Sequence, residues 1–399
     1  MNQYILINHI KVQNANAIAG FTWGFPAITH FLGFTHNLTR KLAESDQFKD
    51  IDLNGCAVIA HQHHVHTYRP SYDFEFTQSK NPAYLKSDVT KVKKGGAPSI
   101  IEEGKMNMTV SLLIGYRGNI GNRDESFKKW LENSCYLQRL AGGSILDIGT
   151  VDFYSLSEDR EVRAITRKLL PGFALMDRST YLESHYQSLQ NSNSNIELLD
   201  AWLDFSALKQ QARPQSDKIS RLLNKLVDNN REDELYSQLL DIWEKHLTTP
   251  YQQNSIPDEL QTELPKLLDS AQLQQWQAYC NPTDKTEADW EYISKPEKGY
   301  LVPIMTGYKA ISELYENSKV ANTRDSETDV CFMESVHSVG EWLSVHRLKT
   351  IEGLNSALWH YHYVKNWYLC KQSTESGVDE INHSDNNEII TENPEDDLS

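Results

Sequence analysis

His61-Gln62-His63-His64-Val65-His66 is the densest run of chemically capable side chains in this sequence, four imidazoles within six residues. Neutral imidazoles ligate zinc or copper, and one poised near neutrality serves as a general base. On a strand, alternate side chains point to opposite faces, so His61 and His63 would share one face and His64 and His66 the other. No ligand set of three converges from the run, and no cysteine stands at metal spacing. We read a wet strand end, with neither a metal nor a cofactor expected.

Gly104-Lys105 lacks the phosphate-loop pattern, because Ser99 stands five residues earlier and Met106 follows. Gly115-Tyr116-Arg117-Gly118-Asn119-Ile120-Gly121 has the wrong glycine spacing for a dinucleotide fingerprint and reads as a turn. Acidic pairs such as Glu102-Glu103 have no apolar setting to raise a pKa for acid or base work. Two loops remain as phosphate candidates. In residues 139–146 adjacent Gly142 and Gly143 would let backbone amides approach a phosphate beside Arg139, although a plain helix C-cap explains the same residues. Lys91-Val92-Lys93-Lys94-Gly95-Gly96 reads as a basic finger or a solvated loop. Arg160, Arg163, Arg167 and Lys168 fall at three and four residue steps and read as one basic stripe on a helix or as a plain solvated face.

Residues 14–36 are the most decorated stretch. Phe25, Phe31 and Phe34 read as core, while Phe21 and Trp23, flanked by Gly20 and Gly24, read as partly open for stacking on a base or a partner.

These residues need elements to hold them. Residues 4–12 read as a first strand, residues 28–41 as a helix with an apolar face at three and four residue steps, and residues 55–64 and 107–116 as two further strands. A second helix over residues 124–140 and a strand opened by Ile145-Leu146 complete the order βαββαβ. Between the second and third strands runs a polar excursion, residues 67–105, with Arg69, Lys80, Lys86, Lys91, Lys93, Lys94 and Lys105. The fold class expected is α+β, a modified ferredoxin-like or RNA-recognition palm. Its domains are a palm over residues 1–195, a helical insertion over 196–295, completing strands over 296–371 and a disordered acidic tail over 372–399.

The net charge of −16 is unevenly spread: residues 1–190 hold 21 Lys and Arg against 19 Asp and Glu, and residues 191–399 hold 18 against 36. Nucleic acid therefore remains a permitted partner of the first half. The amino terminus does not read as a secretory signal, no window reaches membrane-spanning length, and Cys56, Cys135, Cys280, Cys331 and Cys370 have no paired spacing. A reducing, cytoplasmic setting is expected.

Several blocks occur together and in order: Asn14-Ala15-Asn16-Ala17-Ile18, Thr22-Trp23-Gly24-Phe25-Pro26, Gly33-Phe34-Thr35-His36, Arg139-Leu140-Ala141-Gly142-Gly143-Ser144-Ile145-Leu146, Leu169-Leu170-Pro171-Gly172-Phe173-Ala174-Leu175, Leu301-Val302-Pro303-Ile304 and Gly340-Glu341-Trp342-Leu343-Ser344. Together they resemble the Cas-five-like Csy subunit of the type I-F CRISPR surveillance (Csy/Cascade) complex. The resemblance implies a non-catalytic protein of antiviral defense that holds the 5′ handle of CRISPR RNA. It implies pairing with the large subunit, an adjacent backbone subunit, and target DNA reached only through the complex. By that likeness the excursion belongs to a thumb. Phosphate contacts are expected at Arg69, Lys91, Lys93, Lys94, Arg117, Arg139, Gly142, Gly143 and Ser144, and base contacts at Asn14, Asn16 or Trp23. The helical stretch over residues 207–288 is longer than the family pattern. Two rival readings stand beside this one: an endoribonuclease of the same superfamily using His36, His61 or His63 as base, and a scaffold that recruits an effector through the helical insert.

Overall fold

The computed structural model describes residues 2–72, 74–80, 93–96, 100–102, 104–230, 233–249, 256–323 and 325–372. Residues 81–92 of the expected thumb, Lys91 among them, residues 97–99, and all but the first residue of the acidic tail lie outside the described residues. The chain forms two units, one of residues 1–177 and 304–399 and the other of residues 178–303.

The first unit is α+β and is built on an eleven-stranded sheet. Its strands are β1 (Gln3–Asn16), β2 (Asp52–Val65), β3 (Lys105–Arg117), β4 (Arg139–Leu140), β5 (Gly143–Asp147), β6 (Thr150–Ser155), β7 (Phe173–Asp177), β8 (Leu301–Ala310), β9 (Met333–Ser344), β10 (Trp359–Val364) and β11 (Trp367–Gln372). They lie in the order β4-β5-β1-β3-β2-β7-β9-β8-β11-β10, with β6 beside β1 and a β10 to β2 pairing at Trp359 and Cys56. The β1–β3, β3–β2, β1–β5 and β1–β6 ladders are antiparallel.

Tyr4, Ile5, Leu6 and Ile7 of β1 are all fully buried, an unbroken apolar run that requires cover on both faces of the sheet. Helices α1 (Ile28–Ala43) and α2 (Asp124–Tyr136) cover one face. There the α1 stripe of Ile28, Phe31, Leu38 and Leu42 is buried, and Phe127 stacks on Phe153 at 5.4 Å. Each large side chain so buried contributes roughly 1.5–3 kcal/mol. Tyr4, Leu6, Ala57, Ile59 and Leu113 line the other face against Val162, Ile165 and Leu169 of α3 (Val162–Leu169) and against Val345, Leu348, Leu354 and Leu358. Among the described residues, Asn107, Gln13 and His64, further along β3, β1 and β2, are exposed.

Two expectations about elements are corrected. Helix α2 ends at Tyr136, not at residue 140, because Arg139 and Leu140 pair with Ser144 and Gly143 as a hairpin. Its turn residues Ala141 and Gly142 both have left-handed backbone, φ 50° and 77°, as a two-residue hairpin requires. Arg160 lies in a short 3-10 turn ahead of α3, so the basic stripe is shorter than the spacing implied.

The second unit packs helices Asp217–Asn229, Glu234–Thr248 and Ser270–Cys280 around Ile219, Leu223, Leu239, Trp243, Leu260, Trp276 and Tyr279. It also holds a two-stranded ribbon, Gln210–Pro214 with Ala288–Tyr292, which periodicity did not reveal. Arg213 of that ribbon donates to the carbonyls of His246, Leu247 and Thr249, satisfying the end of the helix Glu234–Thr248. This unit begins at Arg178 and ends at Pro303, whereas the sequence reading placed the insertion over residues 196–295.

Candidate nucleic-acid interface

Side-chain direction in the central strands follows from their pairing. Leu113 and Ser111 of β3 face the half covered by α3, so Thr109, Asn107 and Lys105 continue on that side beyond the cover. Two irregularities in β1, where His9 and Asn14 take φ 52° and 55°, keep Lys11 opposite Thr109 and bring the backbone N–H of Asn14 to Asn107 Oδ1 at 3.1 Å. A register shift in β2 between Ala60 and Gln62 places Gln62 opposite Thr109 and His64 opposite Asn107. On the other flank Gln13 pairs with Ser144, and Ser144 with Arg139.

The result is a row running from Arg139 through Ser144, Gln13, Asn14 and Asn107 to His64, across five strands. At about 4.8 Å per strand it is roughly 19 Å wide. All six side chains are exposed. Lys11 lies just inside the row, bound to Asp147 at 2.9 Å, and that bond raises the lysine pKa while holding the carboxyl below its usual range. The row offers amides, a hydroxyl, an imidazole and a guanidinium, the donors and acceptors that contact phosphates, 2′-hydroxyls and base edges.

Of the expected contact residues, Asn14, Arg139 and Ser144 meet in this row. Arg139 spends one N–H on the Gly142 carbonyl at 3.2 Å, which holds its guanidinium over the hairpin turn. Gly142 is exposed at that turn. Gly143 is buried beneath β1, where a Cβ would come within 2.6 Å of Gln13 O and 2.8 Å of Ala15 N. Gly143 is a close-approach residue here. Asn16 lies at the strand end with its amide turned inward, donating to Ile18 O at 2.8 Å and accepting from Ile18 N at 3.2 Å. Trp23 stacks on Phe76 with ring centroids 3.6 Å apart, so one indole face is occupied, although the side chain stays nearly half exposed. Arg69 folds back on its own turn, Nε donating to Tyr72 O at 2.9 Å and the guanidinium 5.4 Å from the Phe74 ring. Lys93 and Lys94 are exposed in a described fragment of four residues. Lys91 lies outside the described residues. Arg117 pairs with Asp52 at the opposite end of β3, twelve residues from Lys105 and about 40 Å away at strand rise. The structure does not bring it to the row.

Gln13, Lys11 and Asn107 were not singled out from the sequence, and His64 was singled out only as a member of the histidine run. Their only local signal is a polar residue at every second position where a strand leaves its cover, at Lys11 and Gln13 and again at Asn107 and Thr109.

The histidine run is corrected as well. The β2 shift sets His61 and His64 on one side and His63 on the other, reversing the simple alternation. His61 is bound at both ring nitrogens, Nδ1 to Pro171 O at 2.7 Å and Nε2 to Ser111 Oγ at 2.6 Å, and stacks on His9 at 4.1 Å. Burial lowers its pKa. Among the described residues no three His, Cys, Asp or Glu side chains gather as a metal site. No described helix is long and apolar enough to cross a membrane.

On the helix face the same hairpin borders an open cleft of about 350 Å³, lined by Thr29, His30, Gly33 and Asn37 of α1 and by residues 137–139, 141 and 142. Asn37 donates to Gln138 Oε1 at 2.7 Å across it.

The first unit is thus an α+β protein built on a large antiparallel sheet, with helices α1 and α2 on one face and, among the described residues, an exposed polar row on the other. Sequence comparison then supplies the family: the family model described as CRISPR-associated protein (Cas_Csy2) matches residues 5–233 and 218–370, and the chain belongs to that family. The chain is also similar to the CRISPR-associated protein Csy2 of Pseudomonas aeruginosa (strain UCBPP-PA14), 29% identical over 388 residues, which covers 93% of this chain and 94% of the relative.

Proposed function

We propose that this chain is a subunit of a type I-F CRISPR surveillance complex and holds the 5′ handle of CRISPR RNA on the polar row of its sheet. The observation that carries the reading is the row from Arg139 to His64, whose six side chains are exposed and offer phosphate and base contacts. The order β6-β1-β3-β2, with α1 and α2 on the opposite face, supports a ferredoxin-like palm of the RNA-recognition kind. The strands β2 and β3 that bracket the excursion support its assignment as a thumb. The role is non-catalytic, with both nitrogens of His61 committed to structural bonds. The large subunit and an adjacent backbone subunit are its protein neighbours, target DNA is reached through guide pairing, and the complex works in the cytoplasm.

The test is photocrosslinking of the co-expressed complex loaded with CRISPR RNA carrying 4-thiouridine in the handle. Crosslinks to peptides containing residues 11–16, 105–109 or 139–146 are expected. Handle crosslinks confined to other peptides overturn the reading.

A further inference from the structure

A second surface of the same unit takes no part in that reading. Where β8 ends at Ala310, the chain makes an excursion over residues 311–332 before β9 begins. The Ala310 N–H donates to Asn366 O at 2.8 Å and the Ile311 N–H to Phe332 O at 2.9 Å, so the base of the excursion and the β10–β11 turn sit side by side. The Lys309 ammonium lies 4.9 Å from the Trp367 ring, and Tyr315 meets Phe332 edge-on at 6.0 Å. Ile311, Leu314, Phe332 and Tyr363 are 59%, 62%, 56% and 69% exposed, and Met333 and Val364 adjoin them. Large apolar side chains grouped and exposed to this degree mark an interaction surface.

A polar network holds the turn of the excursion. Asp325 accepts from the backbone N–H groups of Glu327 and Thr328, and Asn317 donates to the carbonyls of Asp325 and Thr328. Its charge selects the partner. Residues 311–336 carry six acidic and two basic residues, with Glu313 and Glu334 exposed beside the apolar group. A phosphate backbone would be repelled, whereas a protein face with an apolar centre and a Lys and Arg rim is complementary.

We propose that this tip is a protein-docking surface and that its occupant is a neighbouring subunit with an apolar centre ringed by Lys and Arg. The inference rests on the complex-subunit reading for its choice of probe.

The experiment uses the full chain co-expressed with the other protein subunits of its complex and CRISPR RNA. Zero-length carboxylate-to-amine crosslinking of the wild-type complex is expected to join Glu313 or Glu334 to lysines of one neighbouring subunit. The double variant Ile311→Asp, Phe332→Asp is expected to retain that subunit at least tenfold less well with its thermal midpoint unchanged. Glu313→Lys with Glu334→Lys, which leaves the apolar group intact, is expected to weaken retention most at low salt. Unchanged retention in both variants, or crosslinks from the tip to RNA alone, overturns the proposal. Handle crosslinks to the sheet are read in the same samples, so their loss counts against the RNA reading and leaves the docking result standing.

Discussion

The indole of Trp23 occupies the space in which any side chain on residue 104 would begin. A Cβ placed on Gly104 falls onto the six-membered ring of Trp23 and 3.0 Å from Ile18 Cγ1. Phe76 stacks on the indole at 3.6 Å, so Trp23 joins the Ile18–Trp23 loop to both ends of the excursion. The Ala17 N–H completes the junction by donating to Gly104 O at 2.8 Å.

Gly104→Ala is therefore expected to destabilise the first unit by about 1–3 kcal/mol, the usual cost of overpacking. Chemical denaturation reads the loss, and hydrogen exchange should localise it to residues 17–24 and 104–106. Wild-type exchange in those segments would show that the indole yields without cost.

The two hairpin glycines should respond differently. Gly142→Ala meets open space and bears only the left-handed backbone penalty, about 1–2 kcal/mol. Gly143→Ala meets the backbone of Gln13 and Ala15 and must displace the hairpin from β1. Its loss in denaturation midpoint should be clearly the larger. Equal losses would mean that the hairpin does not lie against β1 as described.

Two arginines separate the row from general basicity. Arg139→Glu should weaken handle RNA retention by about tenfold or more, since it removes a charge-assisted contact and adds a repulsive one. Arg117→Glu, at the far end of β3, should leave retention within about twofold by the same electrostatic reasoning. Filter binding of the assembled complex at two salt concentrations compares them. Equal effects would remove the row from the interface.

Mild acid should destabilise the first unit. Burial pushes the imidazoles of His30, His61, His337 and His360 below the ordinary histidine value. The unfolded chain then binds more protons than the folded one at mildly acid pH, so stability rises with pH. The contribution is complete above the unfolded value near 6.5 and is lost as pH falls from there through the folded values. Asp50, paired with Arg123, and Asp147, paired with Lys11, are held low and lose their contributions only in more acid solution, below about pH 4. The thermal midpoint should be flat from about pH 7 to 8 and fall between about 6.5 and 5. His61→Gln should reduce the slope, and an unchanged slope would take His61 out of the account.

Much of the architecture was legible along the chain. The strand-helix-strand-strand-helix-strand order, the apolar stripe of α1 and the coarse class α+β depend on contacts between residues three, four or two apart, and sequence carries those periods directly. The blocks around Asn14, Trp23, Arg139 and Leu169 identified the family for the same reason, as local strings of residue types.

Tertiary structure decided which side chains meet. The irregularities at His9, Asn14 and Ala60–Gln62 each shift side-chain direction by one residue, so strict alternation misplaced His61 relative to His64 and gave no sign that Asn107 stands beside Asn14. Arg117 and Arg139 look equally available in sequence, yet one closes the far end of β3 and the other caps an edge hairpin. Periodicity is a property of one segment, whereas register belongs to two segments brought together. A row of side chains drawn from five strands could emerge only once the sheet was paired.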